Sequence, residues 1–156
     1  MSAMIEHLQL VPHPEGGHYR EVFRSTATVV RGADGAVRSA LTGIHFLLRK
    51  GERSRLHRVE SEEVRHHAAG GAMELLLLDA ALSVHQRHVL GPLERGHVPF
   101  VVVPAGWWQA ARPVDADSLC SCFVGPGFEF ADLRFMDDAA DRERMRRSWP
   151  GLAALI

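Results

Sequence analysis

Along most of the chain, apolar residues either alternate with polar ones or gather in short runs, and glycine or proline stands at most of the breaks. A period of two is the signature of strands with one face turned inward. Gly16-Gly17 reads as a turn feeding a strand over Tyr19 to Arg24, and Arg31 to Gly35 reads as a hairpin-like loop before a strand from Arg38 to Leu48. Further strands are predicted at Ser54 to Val59, Val64 to Ala69, Ala72 to Leu78, Ser83 to Leu90, Val98 to Val103, Trp107 to Arg112 and Ser118 to Val124. Helical spacing is confined to the ends. Met4, Ile5 and Leu8 give a short amphipathic helix within Ser2 to Leu10, ended before Pro12. Asp137 to Ser148, dense in charge and free of Gly and Pro, predicts a terminal helix stopped by Pro150, with Leu152, Leu155 and Ile156 left to pack back. Many short strands without intervening helices indicate an all-β sandwich or barrel.

The length of 156 residues suits one domain spanning residues 1–156 and allows a real core. Lys plus Arg number 18 against 19 Asp plus Glu, so no global field draws the chain to nucleic acid or an anionic membrane. The longest apolar runs, Met73 to Asp79 and Phe100 to Val103, are too short to span a bilayer, and no basic segment followed by an apolar stretch opens the chain. Cys120 and Cys122 are too few for a disulfide framework, and a cytoplasmic location is expected. A small molecule is then the expected partner.

Strand parity selects the candidate chemistry. Residues two apart share a face, so His57 lies with Val59, Glu63 with Arg65 and His67, Trp107 with Gln109, and Tyr19 with Glu21. If these faces line a barrel interior, they converge. A register slip of one residue would turn Arg65 outward instead. Cys122 has apolar neighbours and reads as structural.

The spacing His57, Glu63, Gly70 resembles the first motif of the cupin superfamily, with Val59 where its second histidine stands. Pro104-Ala-Gly106-Trp-Trp-Gln109 is similar to the second motif, with glutamine in the place of the last histidine ligand. His13-Pro-Glu-Gly-Gly-His-Tyr-Arg-Glu-Val-Phe-Arg-Ser25, Ser54-x-x-His-Arg-Val, Val103-Pro-Ala-Gly-Trp-x-Gln-Ala110 and Gly125-Pro-Gly-Phe-Glu-Phe130 together resemble the cupin-5 family, of unknown function. The resemblance implies a double-stranded β-helix, or cupin jelly-roll barrel, usually paired into a homodimer, with an internal pocket like those of sugar-nucleotide epimerases. It makes the His13-Pro-Glu-Gly-Gly segment a pocket or interface wall. Where relatives have D-E-x-W-H-F, this chain has Glu62-Glu63-Val-Arg65-His66-His67, which implies a more cationic and polar pocket.

Three readings follow. In the first, no cofactor is needed: Ser54, His57, Glu63, Arg65, His67, Trp107 and Gln109 bind a small polar or anionic molecule such as a sugar-nucleotide. If such a site catalyses an epimerase- or isomerase-like step, His57 or His67 is the base and Tyr19 the acid. In the second, a divalent metal is held by His57, Glu63 and either His67 or Gln109, for oxygenase or isomerase chemistry. In the third, the barrel is filled by side chains and the protein is a structural or regulatory homodimer.

Overall fold

The computed structural model describes residues 3–156. Ser2, which opens the predicted N-terminal helix, lies outside them. Helix α1 (Ala3–Leu8) leads into β1 (Val11–Pro12), β2 (His18–Arg24), β3 (Thr28–Val30), β4 (Val37–Ser39), β5 (Thr42–Leu48), β6 (Ser54–Val59) and β7 (Glu62–Gly70). Then come β8 (Met73–Leu78), β9 (His85–Leu90), β10 (Phe100–Val103), β11 (Trp108–Pro113), β12 (Ser118–Gly125), β13 (Leu133–Phe135) and helix α2 (Ala139–Ser148). Six strands form one sheet in the order β1-β2-β5-β12-β7-β10, five form a second in the order β13-β6-β11-β8-β9, and β3-β4 is a separate hairpin.

The two large sheets close on each other like a barrel. Inward residues of β5, β10 and β12 (Phe46, Leu48, Val101, Val103, Cys120) meet those of β8, β9 and β11 (Met73, Leu75, Leu77, Leu90, Ala111) and fill one end of the interior. Each helix covers an outer face. Ile5 and Leu10 lie on Leu47 and Leu119 outside the six-stranded sheet, while Met145 and Leu155 lie on Leu56, Leu76, Leu78 and Trp108 outside the five-stranded one. Asp138 caps α2 by accepting from the backbone N–H of Ala140 and Asp141, which places the helix start at Ala139, two residues beyond the predicted Asp137.

Several boundaries differ from the sequence pattern. The predicted strand Arg38 to Leu48 is two strands, because Val37–Ser39 pairs with Thr28–Val30 whereas Thr42–Leu48 joins β2 and β12. Pro99 has no N–H for a ladder, so β10 starts at Phe100 and Val98 makes only an isolated bridge to Leu90. Asp79 captures the N–H groups of Ser83 and Val84 in a turn, delaying β9 to His85. Trp107 belongs to a turn, its N–H bonded to Pro104 O, and β11 begins at Trp108.

Candidate functional site

The other end of the barrel is hollow. A cavity of about 300 Å³ is lined at its floor by His13, Glu15, His57, Glu63 and Arg65 and along its walls by Ile44, Phe46, Val59, Cys122 and Val124. Tyr19, Glu21, Arg24, Phe128, Glu129 and Phe130 form the mouth.

Each floor residue is delivered by a different backbone device. Strand alternation brings Glu63 and Arg65 inward from β7, confirmed by the pairing of Arg65 with the buried Cys122. The turn before β2 brings His13 and Glu15. There the backbone passes so close to β6 that a Cβ on Gly16 would meet Arg53 O at 2.3 Å, and Gly16 has φ +110°, a conformation L side chains rarely adopt. Arg55 N–H donates to Glu15 O, which ties this turn to β6.

Glu15 Oε2 lies 3.0 Å from His57 Nε2, and Glu15 Oε1 lies 3.5 Å from Arg65 Nη2. Burial opposes ionisation of Glu15, but His57, Arg65 and His13 outweigh it and hold the carboxyl at about 2. His57 Nδ1 donates to Arg55 O at 2.7 Å, so both ring nitrogens face oxygen acceptors. Glu63 Oε1 is 3.1 Å from Arg65 Nε, and its Oε2 accepts from Gln109 Nε2 at 2.7 Å. Arg65 is 2% exposed, its guanidinium 5.3 Å from the Phe46 ring centroid. Its Nη1 and Nε have no hydrogen-bond partner among the described residues, the Nε contact with Glu63 being an ion pair. Burial keeps His13 below the ordinary imidazole range, with Glu15 pulling the other way, and its Nδ1 accepts from Glu15 N–H at 3.2 Å.

At the mouth a β-bulge in β2 between Glu21 and Phe23 returns Arg24 to the inner face beside Thr42. Four of the five Arg24 N–H groups are engaged there: it donates to Glu21 at 2.8 and 2.9 Å, to Glu129 at 2.8 Å and to Phe128 O at 3.0 Å. Tyr19 meets His13 edge-on at 4.6 Å, and Phe130 packs on Phe128 at 5.1 Å.

Of the residues expected from the sequence, His57, Glu63, Arg65 and Tyr19 come together around the cavity. Gln109 is buried beneath Glu63 and outside the lining. His67 has the parity of Arg65 but lies toward the filled end, bonded to Gly71 O at 3.0 Å. Ser54 is bonded to Ala111 N–H at 3.0 Å, where the pairing of β6 with β11 shifts register. Trp107 packs against the filled core and Trp108 against the opposite face. Four glutamates line the pocket (Glu15, Glu21, Glu63, Glu129) against two arginines, Arg24 and Arg65. Glu15, Glu21 and Glu129 were not among the expected ligand-binding residues, although the His-Pro-Glu-Gly-Gly signature pointed to the first and strand parity with Tyr19 to the second.

Both sequence and fold have known relatives. The cupin superfamily family Cupin_5 (DUF985) matches residues 2–136, and the chain belongs to it. A hypothetical protein from Leishmania major superposes with a TM-score of 0.84 at 32% identity, covering 98% of this chain and 94% of that one. A protein from Shewanella oneidensis gives 0.80 at 30% identity, covering 99% and 94%. A cupin-2 domain from Rhodospirillum rubrum, at 16% identity and a TM-score of 0.64 over 94% and 86%, shares the fold. No curated protein matches the chain significantly.

Many cupins hold a metal where His57 and Glu63 stand, but this donor set does not fit one. Both oxygens of Glu63 are engaged by Arg65 and Gln109, both nitrogens of His57 face other oxygens, and a guanidinium stands between the two carboxylates. Gln109 offers only a neutral amide.

Proposed function

We propose that the protein binds a small polar molecule in the hollow end of its barrel and needs no metal to do so. The observation that carries this reading is the ionic floor: Glu15, Glu63, Arg65 and His57 are all at most 5% exposed and line an open cavity. Buried ion pairs are weak stabilisers, because desolvation offsets their attraction, so fold stability alone gives little reason to keep four such groups. A polar ligand does. The volume of about 300 Å³ is at the lower end for ligand sites, so a sugar-nucleotide would have to extend through the mouth.

Binding is better supported than proton transfer. An epimerase- or isomerase-like step needs a free base, and His57 would first have to leave Glu15. Homodimerisation, the family expectation, is supported by a row of side chains outside the six-stranded sheet. Phe23, Gly43, Phe123, Val64 and Val102 are successive register partners, and Phe23, Phe123 and Val102 are exposed. Gly43 leaves room for the Phe123 ring, which would lie 3.1 Å from an added Cβ. Light scattering should give twice the chain mass for the wild type and the monomer mass for Phe123→Glu; a monomeric wild type removes this part of the reading. Two buried free cysteines support the cytoplasmic location.

The test of binding is a thermal-shift and calorimetric screen of small polar metabolites against metal-free protein. Saturable binding in the presence of a chelator is expected, and it should be lost in Val59→Phe, which fills the cavity. Binding that appears only after a divalent metal is restored would overturn the metal-independent reading.

A further inference from the structure

We propose that the ligand is uncharged and hydroxyl-bearing, of about monosaccharide size, and that the pocket turns anions away. This rests on the binding reading above and goes on to fix the charge and hydrogen-bonding character of what is bound.

The argument begins with which polar atoms are still open. Arg24, at the mouth, spends four of its five N–H groups on Glu21, Glu129 and Phe128 O, which leaves an incoming carboxylate or phosphate a single N–H on Nη1 and no bidentate fork. An anion passing it meets the outer edge of two carboxylates. At the floor, Arg65 Nη2 donates to Glu15 and Nε is ion-paired with Glu63 at 3.1 Å without a hydrogen bond, so two carboxylates already flank its one guanidinium, with His57 beyond Glu15. Unscreened by water, such groups act strongly on a charge entering among them. A ligand that carried a negative charge to Arg65 would bring it beside Glu15 and Glu63.

Open hydrogen-bonding positions remain at the floor. Arg65 lines the cavity, and its Nη1 and Nε are buried donors without a hydrogen-bond partner among the described residues; an unsatisfied buried donor costs free energy that a ligand oxygen reaching it would recover. Glu15 Oε1, at 3.5 Å from Arg65 Nη2, has a long contact and spare acceptor capacity. The floor thus presents a donor and an acceptor from adjacent side chains. A hydroxyl group, or two on neighbouring carbons, accepts from the first and donates to the second while remaining neutral; a carboxylate or phosphate can only accept. The walls suit the remainder of such a molecule: Ile44, Phe46, Val59, Tyr19 and Phe130 offer aliphatic and aromatic surface to its C–H faces.

The experiment is calorimetry on sets that share one carbon skeleton: a neutral pentose or hexose, its uronic acid, its phosphate ester and its amino derivative. At least one neutral sugar is expected to bind, with its uronate and phosphate at least tenfold weaker. Glu21→Gln with Glu129→Gln, both at the solvent-facing mouth, should narrow that gap, and Arg65→Met should abolish neutral binding. Tighter binding of a uronate, phosphate or amine than of its parent sugar would overturn the proposal, as would neutral binding unaltered by Arg65→Met. If no member of any set distinguishes wild type from Val59→Phe, this proposal falls, while the metabolite screen above decides the binding reading, so the two failures are told apart.

Discussion

The two ends of this barrel are built from the same strands and have opposite interiors. β5 places Leu48 in the filled end and Thr42 against the cavity, with Phe46 and Ile44 bordering both; β12 places Cys120 in one and Val124 in the other. The filled end is close-packed leucine and methionine contributed mostly by β8, with Met73, Leu75 and Leu77 at most 1% exposed. The hollow end has charged groups instead, introduced by β7 and by the turn that carries His13 and Glu15. Alternation decides whether a side chain points into a barrel, and distance along the strand decides which interior it meets.

Arg65→Met is the strongest way to break the contrast. It leaves Glu15 and Glu63 buried without their shared cation, and removal of one partner from such a site costs about 3–5 kcal/mol. Urea unfolding should show that loss and partial recovery in Arg65→Met/Glu63→Gln; a single variant as stable as wild type would mean the floor charges are not coupled.

The next comparison sets the two interiors side by side. Leu75→Ala, in the filled end, should cost about 2–5 kcal/mol, because a cavity opens where packing was complete. Val59→Phe enlarges a side chain that already borders open space, so the cost expected is under about 1.5 kcal/mol. Equal losses by denaturant titration would show the hollow end to be packed in solution.

The last comparison is in acid. The carboxyl of Glu15 is held at about 2 in the folded chain against an ordinary 4.5, so its contribution is complete above about pH 4.5 and fades as pH falls toward 2. Glu15→Gln should flatten this part of the stability profile, measured by unfolding at successive pH values. An unchanged acid slope would detach Glu15 from His57 and Arg65.

Much of this was legible in the chain itself. Alternation located most of the strands of both sheets and put Glu63 and Arg65 on one face, and the motif spacing marked His57. What alternation lacks is depth. His67 shares the parity of Glu63 but lies four residues further along β7, on the order of 13 Å at about 3.3 Å per residue, and so reaches the filled end. Ser54 belongs to a recognisable signature, yet its hydroxyl serves a register shift visible only once β6 and β11 are paired. Glu15 escaped because its partners, His57 and Arg65, are distant in sequence, and only a glycine turn pressed against β6 unites them. The excess of acid around the pocket has the same origin, since Glu21 and Glu129 come from opposite ends of the chain.

The mouth is tied down by one carboxylate. Asp132 accepts from Arg31 at 2.9 and 3.1 Å and from Arg38 at 2.7 and 2.8 Å, joining the β3-β4 hairpin to the segment that follows Phe128, Glu129 and Phe130. These partners are separated by 94 and 101 residues. In folding terms the clasp closes a loop of nearly two-thirds of the chain, an entropic debt that non-local contacts must meet before they contribute. The rim of the pocket is therefore expected to be assembled late, after β8 and its neighbours have built the filled end, with the barrel acquiring its core before its opening.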